Sequence, residues 1–133
     1  MKNKNVLVTG GSRGIGKSIC IALASEGANV AFTYLNQNDA AKDAISEITN
    51  YGVDGLSFQC DVRDRETLKS IVKDLDDRWG CIDVLVNNAG INKPEDFDKI
   101  TDNDWDKIIS VNLKGPFVTT QEVLPLLKKS NSA

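Results

Sequence analysis

Short apolar runs alternate along this chain with longer segments in which apolar residues recur every three or four positions. Four runs, at 5–9, 29–34, 54–60 and 82–86, predict β-strands. The first and last each contain the uninterrupted apolar run Val-Leu-Val, which is typical of parallel strands covered on both faces. The periodic segments between and after them predict amphipathic helices. Because crossover connections are right-handed, this order predicts an α/β fold, a doubly wound parallel sheet of about four strands in the order 3-2-1-4 with flanking helices.

Polar and small residues mark the expected helix ends. Asn38–Asp39 and Asp64 supply side-chain oxygens that can cap the second and third helices. Thr101 with Asp104 three residues later is an aspartate variant of the capping box and opens the fourth helix. Gly115–Pro116 interrupts the helical pattern that follows, so a kink or a new helix start is predicted there.

The composition is that of an ordinary single globular domain, with 133 residues of which 41% are hydrophobic and 26% charged. A net charge of −3 argues against nucleic acid or an anionic membrane as the main partner. No stretch approaches the roughly 18 apolar residues of a membrane helix, and the first apolar run is too short for a signal peptide. We therefore expect a cytoplasmic protein.

The cysteines and the absence of histidine limit which metal, disulfide and catalytic sites the chain can form. Cys20, Cys60 and Cys81 are isolated and odd in number, and the chain contains no histidine. A zinc site or a disulfide framework is not expected, and the cysteines are interpreted as small buried hydrophobic residues. The absence of histidine also excludes a histidine general base within these residues.

A glycine-rich turn connects the first strand to the first helix, with glycines spaced G-x-x-x-G-x-G. Such a turn directs backbone N–H groups and the positive end of a helix dipole at one point, where a phosphate binds. Gly10 is expected to permit the turn, Gly14 the close approach of phosphates, and Gly16 close helix packing. A ligand-free turn is the alternative, but its place in the first βαβ unit favours a Rossmann-type dinucleotide site. The predicted contacts here are Gly10, Ser12, Arg13, Gly14, Ile15 and Gly16.

The residues after the second strand indicate which dinucleotide binds. An NAD site usually places an acidic residue about 20 positions after the glycines, on the ribose 2′-hydroxyl. Residues 34–37 contain no acid, and the first one is Asp39. Arg13 can pair with a 2′-phosphate, assisted by Asn36. We predict NADP(H) rather than NAD(H), the alternative being that Arg13 is a solvated surface charge.

Two further segments follow the third and fourth strands and should face the same crevice. Asp61 can accept a hydrogen bond from the adenine amino group, and Val62 offers backbone groups; alternatively, Asp61 belongs to a helix-entry turn. Asn87 and Asn88 can tie neighbouring strands together, and Ala89–Gly90 leave room for a flat ring or ribose. Alone, this last segment is merely a turn. Asn88, Ala89 and Gly90 are predicted cofactor contacts.

Four motifs carry a resemblance to a known family, and they are Thr9 to Gly16, Asp61–Val62, Asn87 to Gly90, and Asn112 with Lys114–Gly115. On these motifs this chain resembles the short-chain dehydrogenases/reductases. It looks most like their NADP-dependent bacterial branch, which includes 3-oxoacyl-thioester reductases of fatty acid biosynthesis. The resemblance implies a catalytic tetrad of Asn, Ser, Tyr and Lys, in which Asn112 matches the asparagine. In the family, the backbone of this asparagine holds a water linked to the catalytic lysine. A helix cap is the alternative role for Asn112.

The other three members of the tetrad find no match. Tyr34 and Tyr51 are the only tyrosines, and the residues four positions later are Asn38 and Gly55 rather than lysine. Residues 1–133 are therefore interpreted as the N-terminal dinucleotide-binding portion of a longer Rossmann domain, and the chain alone is expected to be inactive. The fourth strand would be an open apolar edge.

The resemblance implies an NADP(H)-dependent oxidoreductase that transfers a hydride between nicotinamide and a carbonyl or secondary alcohol of a small molecule. Reduction of a 3-oxoacyl thioester is the first expectation. A sugar or polyol dehydrogenase of the same family and a noncatalytic nucleotide-binding fragment are the alternatives. The family also implies a homo-oligomer, a dimer or tetramer, in which the last two helices pair between subunits; an apolar surface on Phe117, Val118 and Leu124 is consistent with this.

Overall fold

A single parallel sheet organises the chain. The computed structural model describes residues 1–131. Strands β1 (Asn5–Thr9), β2 (Asn29–Tyr34), β3 (Gly55–Gln59) and β4 (Val84–Val86) are ordered β3-β2-β1-β4, which confirms the predicted sheet. β4 is shorter than predicted because the amide of Ile82 donates to the Leu126 carbonyl (3.3 Å) instead of joining the sheet.

Helices cover both faces of the sheet. They are α1 (Gly14–Ser25), α2 (Asn38–Thr49), α3 (Arg65–Trp79), α4 (Asp102–Ile109) and α5 (Gly115–Leu127), and a 3₁₀ turn at Phe97–Lys99 precedes α4. Successive residues of β1 point to opposite faces, so Val6 and Val8 pack against α1 and α2, whereas Leu7 packs against α3 and α5. This two-sided core confirms the doubly wound arrangement. Val118, expected at the surface, is buried on the α5 side of the core.

Side-chain caps begin two of the helices as predicted. The Asp64 carboxylate accepts hydrogen bonds from two backbone amides in the first turn of α3, and Thr101 with Asp104 forms a complete capping box at α4. The predicted cap at Asn38–Asp39 is wrong. Both residues already lie within α2, and the capping position is Gln37, whose φ is 102° and whose side chain makes no capping hydrogen bond.

A π-helical turn, Ser110–Lys114, joins α4 to α5. The interruption predicted at Gly115–Pro116 is therefore real, but the wide turn lies just before these residues. Pro116 lies in the first turn of α5 and has no N–H, so it cannot donate to a carbonyl of the π-helical turn that precedes it. Gly115 packs tightly, because a Cβ there would lie 2.7 Å from Cγ2 of Val62.

A buried carboxylate, that of Asp83, links chain segments at the amino-terminal ends of β1 and β4. Asp83 accepts hydrogen bonds from the Asn5 amide (2.9 Å), Lys4 Nζ (3.2 Å) and Ser130 Oγ (2.7 Å). Burial raises the pKa of Asp83, but these hydrogen bonds outweigh it, and the net effect is a lowered pKa. Asp83 thus joins β1, the start of β4 and the end of α5.

The start of α4 should be sensitive to acid. Hydrogen bonds from Lys93 and Thr101 lower the pKa of Asp104 to about 2. Because the folded-state pKa lies below the unfolded value, Asp104 stabilises the fold above about pH 4 and loses this effect as the pH falls toward 2. We expect Asp104→Asn to lower the urea midpoint at pH 5 and to differ progressively less from the unmodified chain between pH 4 and pH 2.

Lys93→Met provides the matched comparison for this experiment. It removes the ion pair with Asp104 (2.9 Å) while leaving the capping box, so it should reproduce part of the Asp104→Asn effect and part of its pH dependence. A difference between Asp104→Asn and the unmodified chain that stays constant from pH 5 to pH 2 would contradict the assignment.

Candidate functional site

A cleft of about 510 Å³ lies at the carboxyl ends of the strands. Its volume falls within the range of small-molecule sites. The predicted binding residues come from four separate segments, and the structure brings all of them to this cleft. They are Gly10, Ser12, Arg13, Gly14, Ile15, Gly16, Asn36, Asp61, Val62, Asn88, Ala89 and Gly90. That they contact a cofactor remains a prediction.

The glycine turn has the geometry that its spacing predicted. Gly10 and Gly14 have φ values of 71° and 55°, which are strained for other residues. A Cβ on Gly16 would lie 2.1 Å from the Gly10 carbonyl oxygen, so only glycine lets α1 pack this closely. A Cβ on Gly14 would meet nothing within 4 Å, so the chain leaves this side open. The open side and the helix N-terminus together suit a phosphate.

Gly11 has a structural role that the motif did not reveal. A Cβ at this position would lie 2.4 Å from the Phe32 Cβ and 2.9 Å from Cys20 Sγ. Its amide also donates to the Thr33 carbonyl (3.0 Å). The turn therefore rests directly on β2 and α1, which fixes its position relative to the rest of the cleft.

Thr9 and Asn88 connect the glycine turn to the end of β4. Thr9 Oγ1 accepts hydrogen bonds from the amides of Asn88 and Ala89, both at 3.0 Å, and Asn88 Nδ2 donates to the carbonyls of Thr9 and Gly10. The predicted strand tie is confirmed for Asn88. The tie is wrong for Asn87, whose side-chain Nδ2 donates to Thr120 Oγ1 on α5 (3.1 Å). Consecutive side chains leave a strand on opposite sides, so Asn87 points away from Asn88.

Asp61 lies in a tight turn and is already paired. Its Oδ1 accepts from the backbone amide and Nε of Arg63, both at 2.9 Å, and its Oδ2 accepts from Nη2 of Arg63 at 2.6 Å. These hydrogen bonds lower the pKa of Asp61. The helix-entry turn considered for this residue is therefore present. Its predicted contact with adenine remains a prediction.

The charge of the cleft is opposite to that of the whole chain. Among residues 1–131, Arg13, Arg63 and Lys107 line it together with a single acid, Asp61, although the chain carries a net charge of −3. Within residues 1–131, neither Arg13 nor Lys107 forms an ion pair. Free cations at the mouth of a cleft attract an anionic ligand.

Asn112 lies in the π-helical turn and holds the segment that follows β4. Its Oδ1 accepts from the Ile91 amide and its Nδ2 donates to the Ile91 carbonyl, both at 2.8 Å. The alternative role as a helix cap is thus wrong, because the side chain bonds another segment instead of a helix end. Asn112 does not line the cleft itself, but Val111 and Gly90 beside it do. Its predicted water-holding role stays a prediction.

The arrangement of turn, strand ends and cleft matches a known family. The sequence model of the short chain dehydrogenases matches residues 4–133. The chain belongs to the short-chain dehydrogenase family. Its members are oxidoreductases that bind nicotinamide cofactors, and the resemblance seen in the sequence is confirmed.

Among short-chain dehydrogenases with curated functions, a 3-oxoacyl-acyl-carrier-protein reductase, FabG, of Staphylococcus epidermidis is 42% identical over 130 residues. The match covers 98% of this chain and 53% of the relative. The chain spans about half the length of the curated relatives it matches.

Solved short-chain dehydrogenase structures share the fold. One from Burkholderia cenocepacia, in complex with NADP, is 36% identical with a TM-score of 0.87, and the match covers 95% of this chain and 51% of that one. A xylitol dehydrogenase bound to NAD⁺ is 28% identical with a TM-score of 0.91, covering 99% and 51%. Both cofactor forms therefore occur among the neighbours.

Several residues of the cleft were missed from the sequence. Lys107 and Val111 reach it from α4 and the π-helical turn, while Arg63 reaches it from the segment after β3. Lys107 and Val111 are four positions apart and so lie on one helical face. The spacing of Lys107 and Val111 could have placed both residues at the cleft from the sequence, but only if α4 had been known to border it.

Proposed function

We propose that this chain is the dinucleotide-binding portion of an NADP(H)-dependent oxidoreductase, which reduces a carbonyl, foremost that of a 3-oxoacyl thioester. The observation that carries the proposal is the cleft, in which the glycine turn and Arg13 face a segment without acids, residues 34–37. A bound nicotinamide would supply the hydride. The residues described here would bind and orient the dinucleotide.

The preference for NADP(H) rests on charge. Asn36 and Arg13 line the same cleft, where a 2′-phosphate could accept charge-assisted hydrogen bonds. The nearest downstream acid, Asp39, is exposed on α2, pairs with Lys42 (3.6 Å) and is not among the lining residues. The cleft thus lacks a carboxylate at the end of β2 that would repel the phosphate, and the cation Lys107 adds to the attraction.

The substrate proposal rests on the relatives. The 42% identity to a reductase named for 3-oxoacyl-carrier-protein substrates supports a thioester carbonyl. A polyol dehydrogenase is the second candidate, because the xylitol dehydrogenase superposes with a TM-score of 0.91. The lower identity to that enzyme, 28%, places it second.

Asn112 is proposed to act through its backbone. A π-helical turn departs from the regular hydrogen-bond pattern of a helix, and such turns are frequent at functional sites. The side chain of Asn112 is committed to Ile91, which leaves the main chain of the turn to position a water. No Tyr-x-x-x-Lys occurs in the 133 residues, so we propose that they bind the cofactor without turnover.

We also propose that two or more copies associate through α4 and α5. An open apolar groove on the π-helical turn and α5 is lined by Leu113, Pro116, Phe117 and Leu124. Leu113 is 66% exposed and Phe117 is 60% exposed, and Trp105 on α4 is 63% exposed. Large exposed apolar side chains that cluster in this way mark an interaction surface.

NADPH absorbance tests the proposed reaction. We expect no turnover by the 133 residues. A longer polypeptide of the same reading frame that carries a Ser and a Tyr-x-x-x-Lys after Ala133 should consume NADPH with acetoacetyl thioesters. Faster oxidation of xylitol with NADP⁺, or faster reduction of simple sugars with NADPH, than reduction of thioesters would favour the polyol alternative. Absence of turnover with every carbonyl and alcohol tried would overturn the enzyme proposal and favour a noncatalytic nucleotide-binding protein.

A further inference from the structure

The pair formed by Asp61 and Arg63 bears on how the base of a dinucleotide is recognised. A carboxylate offers about four acceptor positions. Arg63 fills two on Oδ1, through its amide and Nε, and one on Oδ2, through Nη2. Only one acceptor position remains, and the negative charge is balanced by the guanidinium. The acid expected to read the adenine amino group is therefore a weakened acceptor.

The same hydrogen bonds fix the guanidinium of Arg63. Two contacts from Nε and Nη2 to the two carboxylate oxygens hold its plane in one orientation, as in other bidentate arginine–carboxylate pairs. The Arg63 side chain is nevertheless 39% exposed, and Arg63 lines the cleft. A planar cation that is both immobilised and accessible is suited to stack on an aromatic ring.

The order of the strands shows which part of a dinucleotide would meet this cation. The glycine turn after β1 suits the phosphates, and Arg13 with Asn36 lies beside the end of β2. The adenosine half would then extend over β2 toward β3, because β3 is the next strand in the sheet. Asp61 and Arg63 follow β3 directly.

We propose that Arg63, oriented by Asp61, provides the surface on which the adenine ring stacks, so that the base is recognised by its face more than by its amino group. This inference rests on the proposed dinucleotide function and makes Arg63 a binding residue of the site. It predicts tolerance toward the base, since every purine has a π-face.

The analogue of NADPH that carries hypoxanthine in place of adenine tests the proposal, because it lacks the amino group but keeps the ring. By titration calorimetry, we expect the unmodified chain to bind NADPH and this analogue with affinities within about twofold of each other. Arg63→Ala should weaken the analogue by about three- to tenfold, and NADPH and NADH by less, because loss of the guanidinium leaves the Asp61 carboxylate free to accept from the adenine amino group. Arg63→Gln, which keeps a planar donor, should recover part of the loss.

Arg78→Ala is the matched control. Arg78 also makes a bidentate pair with an aspartate, Asp54, but does not line the cleft, so its removal should leave all three affinities unchanged. A tenfold or larger preference of the unmodified chain for NADPH over the analogue would overturn the proposal. So would unchanged affinity in Arg63→Ala, or a loss confined to NADPH, which would indicate a phosphate contact. If no dinucleotide binds at all, the proposed function fails together with this inference.

Discussion

Replacing Gly16 with alanine should lower the free energy of unfolding by about 3 kcal/mol and weaken NADPH binding by roughly 100-fold. The added methyl group would lie 2.1 Å from the Gly10 carbonyl oxygen and 2.5 Å from Asn88 Nδ2. Relief of this overlap requires α1 to move away from the turn, and Asn88 to give up its hydrogen bonds to Thr9 and Gly10. Stability and the phosphate site would therefore be lost together. Urea denaturation and titration calorimetry measure the two effects.

Gly80→Ala serves as the matched control. Gly80 ends α3 with φ at 75°, and a Cβ there would meet nothing within 4 Å. Alanine should cost about 1 kcal/mol through backbone strain alone and leave NADPH affinity unchanged, since Gly80 is outside the cleft. Native stability and native affinity in Gly16→Ala would contradict the packing assigned to Gly16.

The fold was predictable because its signals are local and repeated. The apolar run of β1 and the periodic faces of α1 to α3 each identify one element, and the right-handed crossover then orders the strands. The errors occurred where tertiary contacts decide. Ile82 has the residue type of a strand, yet its backbone amide donates to a carbonyl of α5, and Val118, expected on an apolar surface, is buried.

The cleft was predictable to the extent that it is built from strand ends. Residues at the carboxyl ends of β1 to β4 must lie along one edge of the sheet, so the glycine turn, Asn36, Asp61 and Asn88 could be grouped without coordinates. Side-chain pairing was not predictable in this way. The ion pair between Arg63 and Asp61 depends on side-chain rotamers. The hydrogen bonds between Asn112 and Ile91 depend on the path of the loop after β4.

Arg13→Ala should weaken NADPH binding by roughly 10- to 100-fold and leave NADH binding unchanged within about twofold. Arg13 lines the cleft beside Asn36, and it forms no ion pair within residues 1–131, so its charge is available to a 2′-phosphate. NADH has no such phosphate and should not respond. The measurement is calorimetric titration of the variant with each dinucleotide.

Lys17→Ala controls for a general change in charge at the same helix. Lys17 lies one turn beyond Arg13, pairs with Glu47 (2.7 Å) and is absent from the cleft lining. We expect both dinucleotides to bind this variant as they bind the unmodified chain. Equal losses of NADPH and NADH affinity in Arg13→Ala would show that Arg13 acts on a shared phosphate or on the turn itself.

Titration of the unmodified chain with NADPH and with NADH, at the same low ionic strength, tests the central claim most directly. This cleft predicts saturable binding of both dinucleotides, with NADPH bound about 10- to 100-fold more tightly than NADH. That is roughly the contribution of one charge-assisted hydrogen bond to the affinity, and Arg13→Ala should remove it. Tighter binding of NADH, or no binding of either dinucleotide, would contradict the assignment of this cleft as an NADP(H) site.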